Sequence, residues 1–155
     1  MIAVGILTIS DSSFEGIRED QSGPVICEMC KDLSWKIAKE QIVPDDEKQI
    51  IDVLSEWISN KIPLIFTTGG TGFTKRDVTT EATMKVINKL IPGIPELMRL
   101  ETSKITQYAF LSRSVAGIAK ETLIINLPGS PKAVKECFAS IVSILPHALE
   151  MIEES

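Results

Sequence analysis

The residues best equipped for chemistry in this chain are oxygen donors and glycines, since the sequence holds one histidine and three cysteines. After the apolar run Pro63-Leu64-Ile65-Phe66-Thr67 comes Thr68-Gly69-Gly70-Thr71-Gly72. Glycines let a backbone turn tightly and aim its N–H groups at an anion without Cβ obstruction, and threonine hydroxyls add further donors. The segment reads either as a tight connection or as a phosphate cradle, and its density of glycine and threonine favours the cradle. It is not a Walker A loop, because no Gly-Lys-Ser/Thr closes it, nor is it the dinucleotide fingerprint. Asp45 and Asp77 lie in polar segments outside the apolar runs. Each carboxylate reads as a helix cap, or, as a pair, the two supply oxygen ligands for a Mg²⁺ beside bound phosphates.

Positioning such groups takes strands and helices in alternation. Ile2 to Ile9 reads as a buried strand closed by Ser10-Asp11-Ser12-Ser13. A polar loop from Phe14 to Gly23 leads to a helix opened by Pro24, with Val25, Met29 and Leu33 on one face. Trp35 to Val43 is a second strand, and the next helix starts at Asp45-Asp46-Glu47 with an apolar stripe of Ile50, Ile51, Leu54, Trp57 and Ile58. A third strand runs over 63–67. Thr79 or Thr80 is expected to cap a helix through Leu90, and another helix covers Pro95 to Ile105. Val115 to Ala119 and Thr122 to Leu127 read as a hairpin or paired strands. Ser130 is the expected N-cap of a last helix with Pro131 at its first position, running to about Glu153 with a break expected at Pro146.

The alternation predicts a single α/β domain over 1–155, in three layers, with a mostly parallel sheet covered by helices on both faces. Ligands of open α/β sheets gather outside the carboxyl ends of the strands. In a parallel sheet the loops beginning at Ser10, Pro44, Thr68 and Pro128 converge on one rim, and this convergence is the principal argument for a site there.

The motifs also carry a resemblance. Thr67-Thr68-Gly69-Gly70-Thr71-Gly72-Phe73, Arg76-Asp77-Val78-Thr79 with Glu81-Ala82-Thr83, Leu111-Ser112-Arg113-Ser114 and Asn126-Leu127-Pro128-Gly129-Ser130-Pro131 resemble the MogA/MoaB family of molybdopterin adenylyltransferases, found also as the G domain of gephyrin. The similarity begins at Ser10-Asp11 and Asp20-Gln21-Ser22-Gly23-Pro24 and reaches Leu145-Pro146-His147-Ala148. It implies a homotrimer that transfers AMP from ATP to molybdopterin with release of pyrophosphate. It further implies catalytic and Mg²⁺-binding roles for Asp45 and Asp77. Thr68, Gly69, Gly70, Thr71, Gly72, Pro128, Gly129 and Ser130 match the family's nucleotide side. Ser10, Asp11, Ser22, Gly23, Ser112, Arg113 and Ser114 match its pterin side, and a hand-over of product to a metal-insertion protein is implied as well. Thr80 stands where the family usually has proline, a change expected to alter only the rigidity of the helix start. The family's inactive paralogues tend to lose the Arg-Asp-Val-Thr pattern, which this chain keeps; a non-catalytic pterin-binding protein or scaffold is the alternative, and a nucleotide-binding regulator without pterin affinity a third reading.

Composition agrees with such chemistry. With 16 Lys+Arg against 21 Asp+Glu the net charge is −5, which argues against a general nucleic-acid binder. One histidine excludes mechanisms or metal sites needing two. A substrate's terminal phosphate, with a second pKa of about 6, is largely ionised at neutral pH and can act as nucleophile without a protein base. Arg76, Arg113 and Lys132 are candidate anion partners. Cys27-Glu28-Met29-Cys30 has redox-motif spacing but falls within a helix and is expected to be ordinary core, as is Cys137; His147 is expected at the surface or an interface. The opening Met1–Leu7 lacks a basic region and its apolar run is too short for a signal peptide or membrane span, so the expected compartment is the cytoplasm.

Overall fold

The computed structural model describes Met1–Ser155. Six strands form one sheet: β1 (Ala3–Ile9), β2 (Lys36–Val43), β3 (Leu64–Thr68), β4 (Lys89–Leu90), β5 (Ala116–Ala119) and β6 (Thr122–Leu127), in spatial order β2-β1-β3-β6-β5-β4. β2, β1, β3 and β6 are mutually parallel, whereas β5 at one side pairs antiparallel with both β6 and the edge strand β4. The helices are α1 (Asp11–Phe14), α2 (Ser22–Asp32), α3 (Glu47–Ser59), α4 (Thr79–Val86), α5 (Gly93–Thr102), α6 (Pro131–Ile141) and α7 (Leu145–Glu153).

Both faces of the central strands are apolar, which is why they read as continuous runs rather than alternations. In β3, Leu64 and Phe66 pack with Ile26, Met98, Val134 and Phe138 of α2, α5 and α6. Ile65 points the other way, against Leu54, Trp57 and Ala82 of α3 and α4. This is the three-layer arrangement expected from the alternation of elements. The rings of Phe66 and Phe138 lie 5.3 Å apart, a tilted pair that fastens α6 to the sheet. No helix is long and apolar enough to cross a membrane.

Several element readings change. The second helix starts at Ser22, two residues before Pro24, and buries Ile26, Cys27 and Cys30, while Leu33 is exposed beyond its end. Asp46, not Asp45, caps α3 by accepting from the Gln49 N–H. Neither Thr79 nor Thr80 caps α4, whose flanking residue is Val78, and α4 stops at Val86 rather than Leu90. Lys89–Leu90 pairs instead with β5, because the Asn88 and Ile91 N–H groups donate to the Ile118 and Ala116 carbonyls. α5 spans Gly93–Thr102, ending before Ile105. The hairpin around Lys120-Glu121 is as expected, with Lys120 at φ +54° closing the turn. Ser130 caps α6 through the Ala133 N–H with Pro131 at its start, and the last helical stretch breaks at a 3₁₀ turn over Val142–Ile144, so that Pro146 opens α7.

Candidate functional site

Parallel pairing carries the loops after β1, β2, β3 and β6 to one rim, and hydrogen bonds tie them together there. Ser10 N–H donates to the Val43 carbonyl, and Gly69 N–H to the Leu127 carbonyl. Thr68 Oγ1 donates to the Pro128 carbonyl at 2.6 Å, and Ser22 Oγ to the Gly129 carbonyl at 2.5 Å. Two of the predicted nucleotide-side segments are thus bonded directly to each other.

The glycine loop can exist only with glycine at its turn. Gly69 and Gly70 have φ of +99° and +70°. A Cβ on Gly69 would strike the Ile9 carbonyl oxygen, and one on Gly70 would strike Thr79 Oγ1. Thr79 is fully buried and its hydroxyl donates to the Gly69 carbonyl at 2.8 Å. It anchors the loop to α4 instead of capping that helix.

Asp45 and Asp77 flank this loop, with Asp45 Oδ1 against Gly70 and Asp77 Oδ2 against Gly72. Each carboxylate has one oxygen held and one open. Asp45 Oδ2 accepts the Asp11 N–H at 3.0 Å, while Asp77 Oδ2 accepts the N–H and the hydroxyl of Thr74 at 2.9 and 2.8 Å. Asp77 therefore closes the 74–77 turn and does not cap α4. No protein donor bonds Oδ1 of either residue. Burial pushes the Asp45 carboxyl above its ordinary pKa, and the charges of Asp11 and Asp77 add to this against the opposing Asp11 N–H bond. A half-buried carboxylate pushed upward is one that gains from a cation. Mg²⁺ takes one or two carboxylates and completes its shell with waters and substrate phosphates. The pair of open oxygens fits that habit, and no cluster of three or more carboxylate, histidine or cysteine groups offers a complete protein cage.

Two cavities open on either side of the glycine loop. One, of about 340 Å³, is lined by Ser10, Ser22, Thr68, Gly69, Gly129 and Ser130 among the predicted residues. The other, of about 500 Å³, is lined by Gly70, Thr71, Gly72, Pro128, Gly129 and Asp77, and by Ser112 and Ser114. Gly129 borders both. The set expected on the pterin side is therefore divided: Ser10 and Ser22 face one cavity, Ser112 and Ser114 the other. Asp11, Gly23, Asp45 and Arg113 line neither. Gly23 is pressed against Thr8 Oγ1 and the Asp20 carboxylate at the start of α2.

The two arginines serve as internal ties. Arg113 donates from Nε to the Gly72 carbonyl at 2.8 Å, from Nη2 to the Asp77 carbonyl at 2.9 Å, and from both terminal nitrogens to Glu81. Its guanidinium spans the loop that carries Asp77, and the Glu81 carboxyl beside it is held below its usual range. Arg76 forms a two-pronged pair with Asp11, both bonds at 2.9 Å. Thr80 does more than relax the helix start, since its hydroxyl donates to the Arg113 carbonyl at 2.6 Å. Lys132 lines neither cavity.

Sequence reasoning passed over Arg99, which lines the larger cavity and donates to the Ser112 and Ser114 carbonyls at 3.1 Å each. It also left Asp20 out of the site, although its Oδ1 accepts the Ser22 and Gly23 N–H groups and its Oδ2 the Thr8 hydroxyl. Asp20 offered a signal, a carboxylate two residues before a helix start. Arg99 offered none, because its partners are segments that only packing brings together. Cys27, Cys30 and Cys137 are buried free thiols, and burial pushes Cys27 and Cys30 up to about 12 and Cys137 to about 11. Such thiols are unreactive core, as expected.

Known proteins share this architecture along the whole chain. The molybdopterin biosynthesis enzyme MoaB from Thermus thermophilus superposes with a TM-score of 0.94 at 42% identity, covering 100% of this chain and 98% of that one. A molybdopterin adenylyltransferase of Helicobacter pylori is 40% identical over 97% of this chain and 88% of its own length. The molybdenum cofactor synthesis protein cinnamon of Drosophila melanogaster is 46% identical over 97% of this chain, which spans only 26% of that larger protein. Residues 5–147 match the family model described as "Probable molybdopterin binding domain". With the glycine loop, the paired aspartates and the fold all in place, the chain belongs to the MogA/MoaB-type molybdopterin-binding family of molybdenum cofactor biosynthesis.

Proposed function

We propose that this protein is a molybdopterin adenylyltransferase, which transfers AMP from ATP to the terminal phosphate of molybdopterin and releases pyrophosphate. The observation that carries the reading is the pair of aspartates, each with one oxygen tied down and one open, on either side of a glycine loop between two cavities. A phosphate oxygen of molybdopterin forms the new bond to the α-phosphorus of ATP. The bond from that phosphorus to the bridging oxygen breaks, and pyrophosphate leaves with the electron pair. The nucleophile arrives ionised, so no protein base is needed, and the lack of a histidine near the rim is no obstacle.

The chain's own work is alignment and charge control. Backbone N–H groups and hydroxyls of the glycine loop and of the Pro128-Gly129-Ser130 turn bind phosphate oxygens. Oδ1 of Asp45 and Oδ1 of Asp77 would hold Mg²⁺, which when bound neutralises charge developing at the α-phosphate. The cavities on the two sides of Gly129 accommodate the two substrates, with the reacting phosphates meeting at the loop. Exposed Leu100, Tyr108, Phe110 and Leu111 give an apolar surface that suits the expected homotrimer, which light scattering on the purified protein tests. The same reading places the protein in the cytoplasm and has its product passed to a metal-insertion protein.

Incubation with molybdopterin, ATP and Mg²⁺ tests the function directly. An adenylylated pterin and pyrophosphate are expected in equal amounts, and a folded protein forming neither refutes the proposal. Pterin bound without AMP transfer would select a non-catalytic binding protein or scaffold. ATP bound without pterin affinity would select a nucleotide-binding regulator. Asp77→Asn should lower turnover by at least about a hundredfold, the scale of a lost electrostatic contribution in phosphoryl-type transfer, while pterin binding persists. Unchanged turnover refutes the role given to Asp77.

A further inference from the structure

Asp11 is matched by resemblance to a pterin-side residue and Arg76 by its charge to an anion partner, yet both oxygens of Asp11 are taken by protein donors and Arg76 turns Nε and Nη2 to that carboxylate. The Asp11 carboxylate accepts the Asp45 N–H on Oδ1 at 2.9 Å, while the Asp11 N–H donates to Asp45 Oδ2 at 3.0 Å. The two aspartates thus exchange backbone and side-chain bonds across 34 residues, binding the loop after β1 to the loop after β2. Arg76 completes the array. Its Nε bonds Asp11 Oδ2 and its Nη2 bonds Asp11 Oδ1, both at 2.9 Å, so both carboxylate oxygens of Asp11 are engaged. Asp11 lines neither cavity, and Arg76 lines neither as well.

We infer that the Asp11 side chain and Arg76 form a positioning pair that holds the backbone of Asp45, so that with the Asp11 N–H on Oδ2 the Asp45 carboxylate presents Oδ1 beside Gly70. The proposal rests on the reading of Asp45 as a cation ligand. Arg76 adjoins Asp77 in the chain, so the guanidinium also links the backbone that carries one aspartate to the loop that carries the other. The planar two-pronged pairing fixes orientation as well as distance, which a lysine ammonium cannot do. Partners behind a metal ligand commonly change affinity or activity by about 10–100-fold when removed.

The test uses the full chain and Mn²⁺ as the probe, titrated by electron paramagnetic resonance in the presence of ATP. Arg76→Ala and Asp11→Asn are each expected to weaken Mn²⁺ binding by about tenfold. The double variant should be no weaker than the worse single one, because both act through one chain of bonds. Arg76→Lys should fall between the wild type and Arg76→Ala. Arg76 is largely exposed, so its variants are expected to keep the wild-type melting temperature within a few degrees. Effects that multiply in the double variant overturn the proposal, as does unchanged Mn²⁺ affinity in both single variants. If Arg76 instead touched phosphate, Arg76→Ala would weaken metal-free ATP binding and Asp11→Asn would not, which also overturns it. Wild-type protein that binds Mn²⁺ with ATP but makes no adenylylated pterin refutes the adenylyltransferase reading and leaves the positioning test intact.

Discussion

Gly70→Ala is the most informative single change to the loop, because two distinct penalties meet there and can be separated. Gly70 has φ +70°, and its added methyl would land on Thr79 Oγ1 with Asp45 Oδ1 3.3 Å away. An L-residue in this left-handed region costs roughly 1–2 kcal/mol, offset in part by roughly 0.4–1 kcal/mol from the stiffer unfolded chain. Thr79 is buried and cannot swing aside, so its bond to the Gly69 carbonyl is lost at about 1 kcal/mol, and displacement of the packed turn adds about 1–2 kcal/mol. The sum is about 3 kcal/mol, or a fall in Tm of roughly 6–12 °C for a chain of this length. Gly16→Ala is the control, since Gly16 has φ +76° with nothing within 4 Å of its added Cβ. It bears the conformational penalty alone and should lose only about 1 kcal/mol. Thermal unfolding of both variants, followed by circular dichroism, measures the difference. Equal Tm values for Gly16→Ala and Gly70→Ala would refute the claim that the turn is set by contact with Thr79.

Asn126 is fully buried; its Nδ2 donates to the Thr67 and Thr83 hydroxyls and its Oδ1 accepts the Val115 N–H. Asn126→Ala strands that N–H and should lower the urea unfolding free energy by about 2–4 kcal/mol, and a loss below about 1 kcal/mol would refute its bridging role. The cysteines make an alkaline prediction. Cys30 is raised to about 12 by burial, above its ordinary value of 9.0, so its contribution to stability is complete below pH 9 and is lost as pH rises from 9 toward 12. Cys30→Ala should flatten the fall of Tm over that interval, and an identical slope in both proteins would count against it.

Much of the fold was written in local pattern. The apolar runs of β1, β3 and β6 are legible because strands buried on both faces carry Ile, Leu and Val without alternation. Ser130-Pro131 marks its helix because capping depends on neighbours three residues away. The two-residue β4 was not legible, since Lys89 and Leu90 take up strand form only through bonds that β5 supplies. In α2 the expected Val25 and Met29 pack against the margin of the core, whereas Ile26, Cys27 and Cys30 form its buried centre and Leu33 lies beyond the helix end, because the depth to which a helix face is buried depends on what packs over it.

The sequence by itself determined the chemistry available: a glycine-rich turn, two carboxylates, hydroxyls, and no histidine able to act in their company. Tertiary structure decided the division of labour among these groups. Strand order β2-β1-β3-β6 lays the loops after β1 and β2 side by side, and so Asp11 meets Asp45 34 residues away and Arg76 65 residues away. The same packing tied Arg113 to Glu81 and divided the serines expected on the pterin side between two cavities. Which oxygen of a carboxylate is held and which is open depends on donors brought in through space, and spacing along a chain carries no record of them.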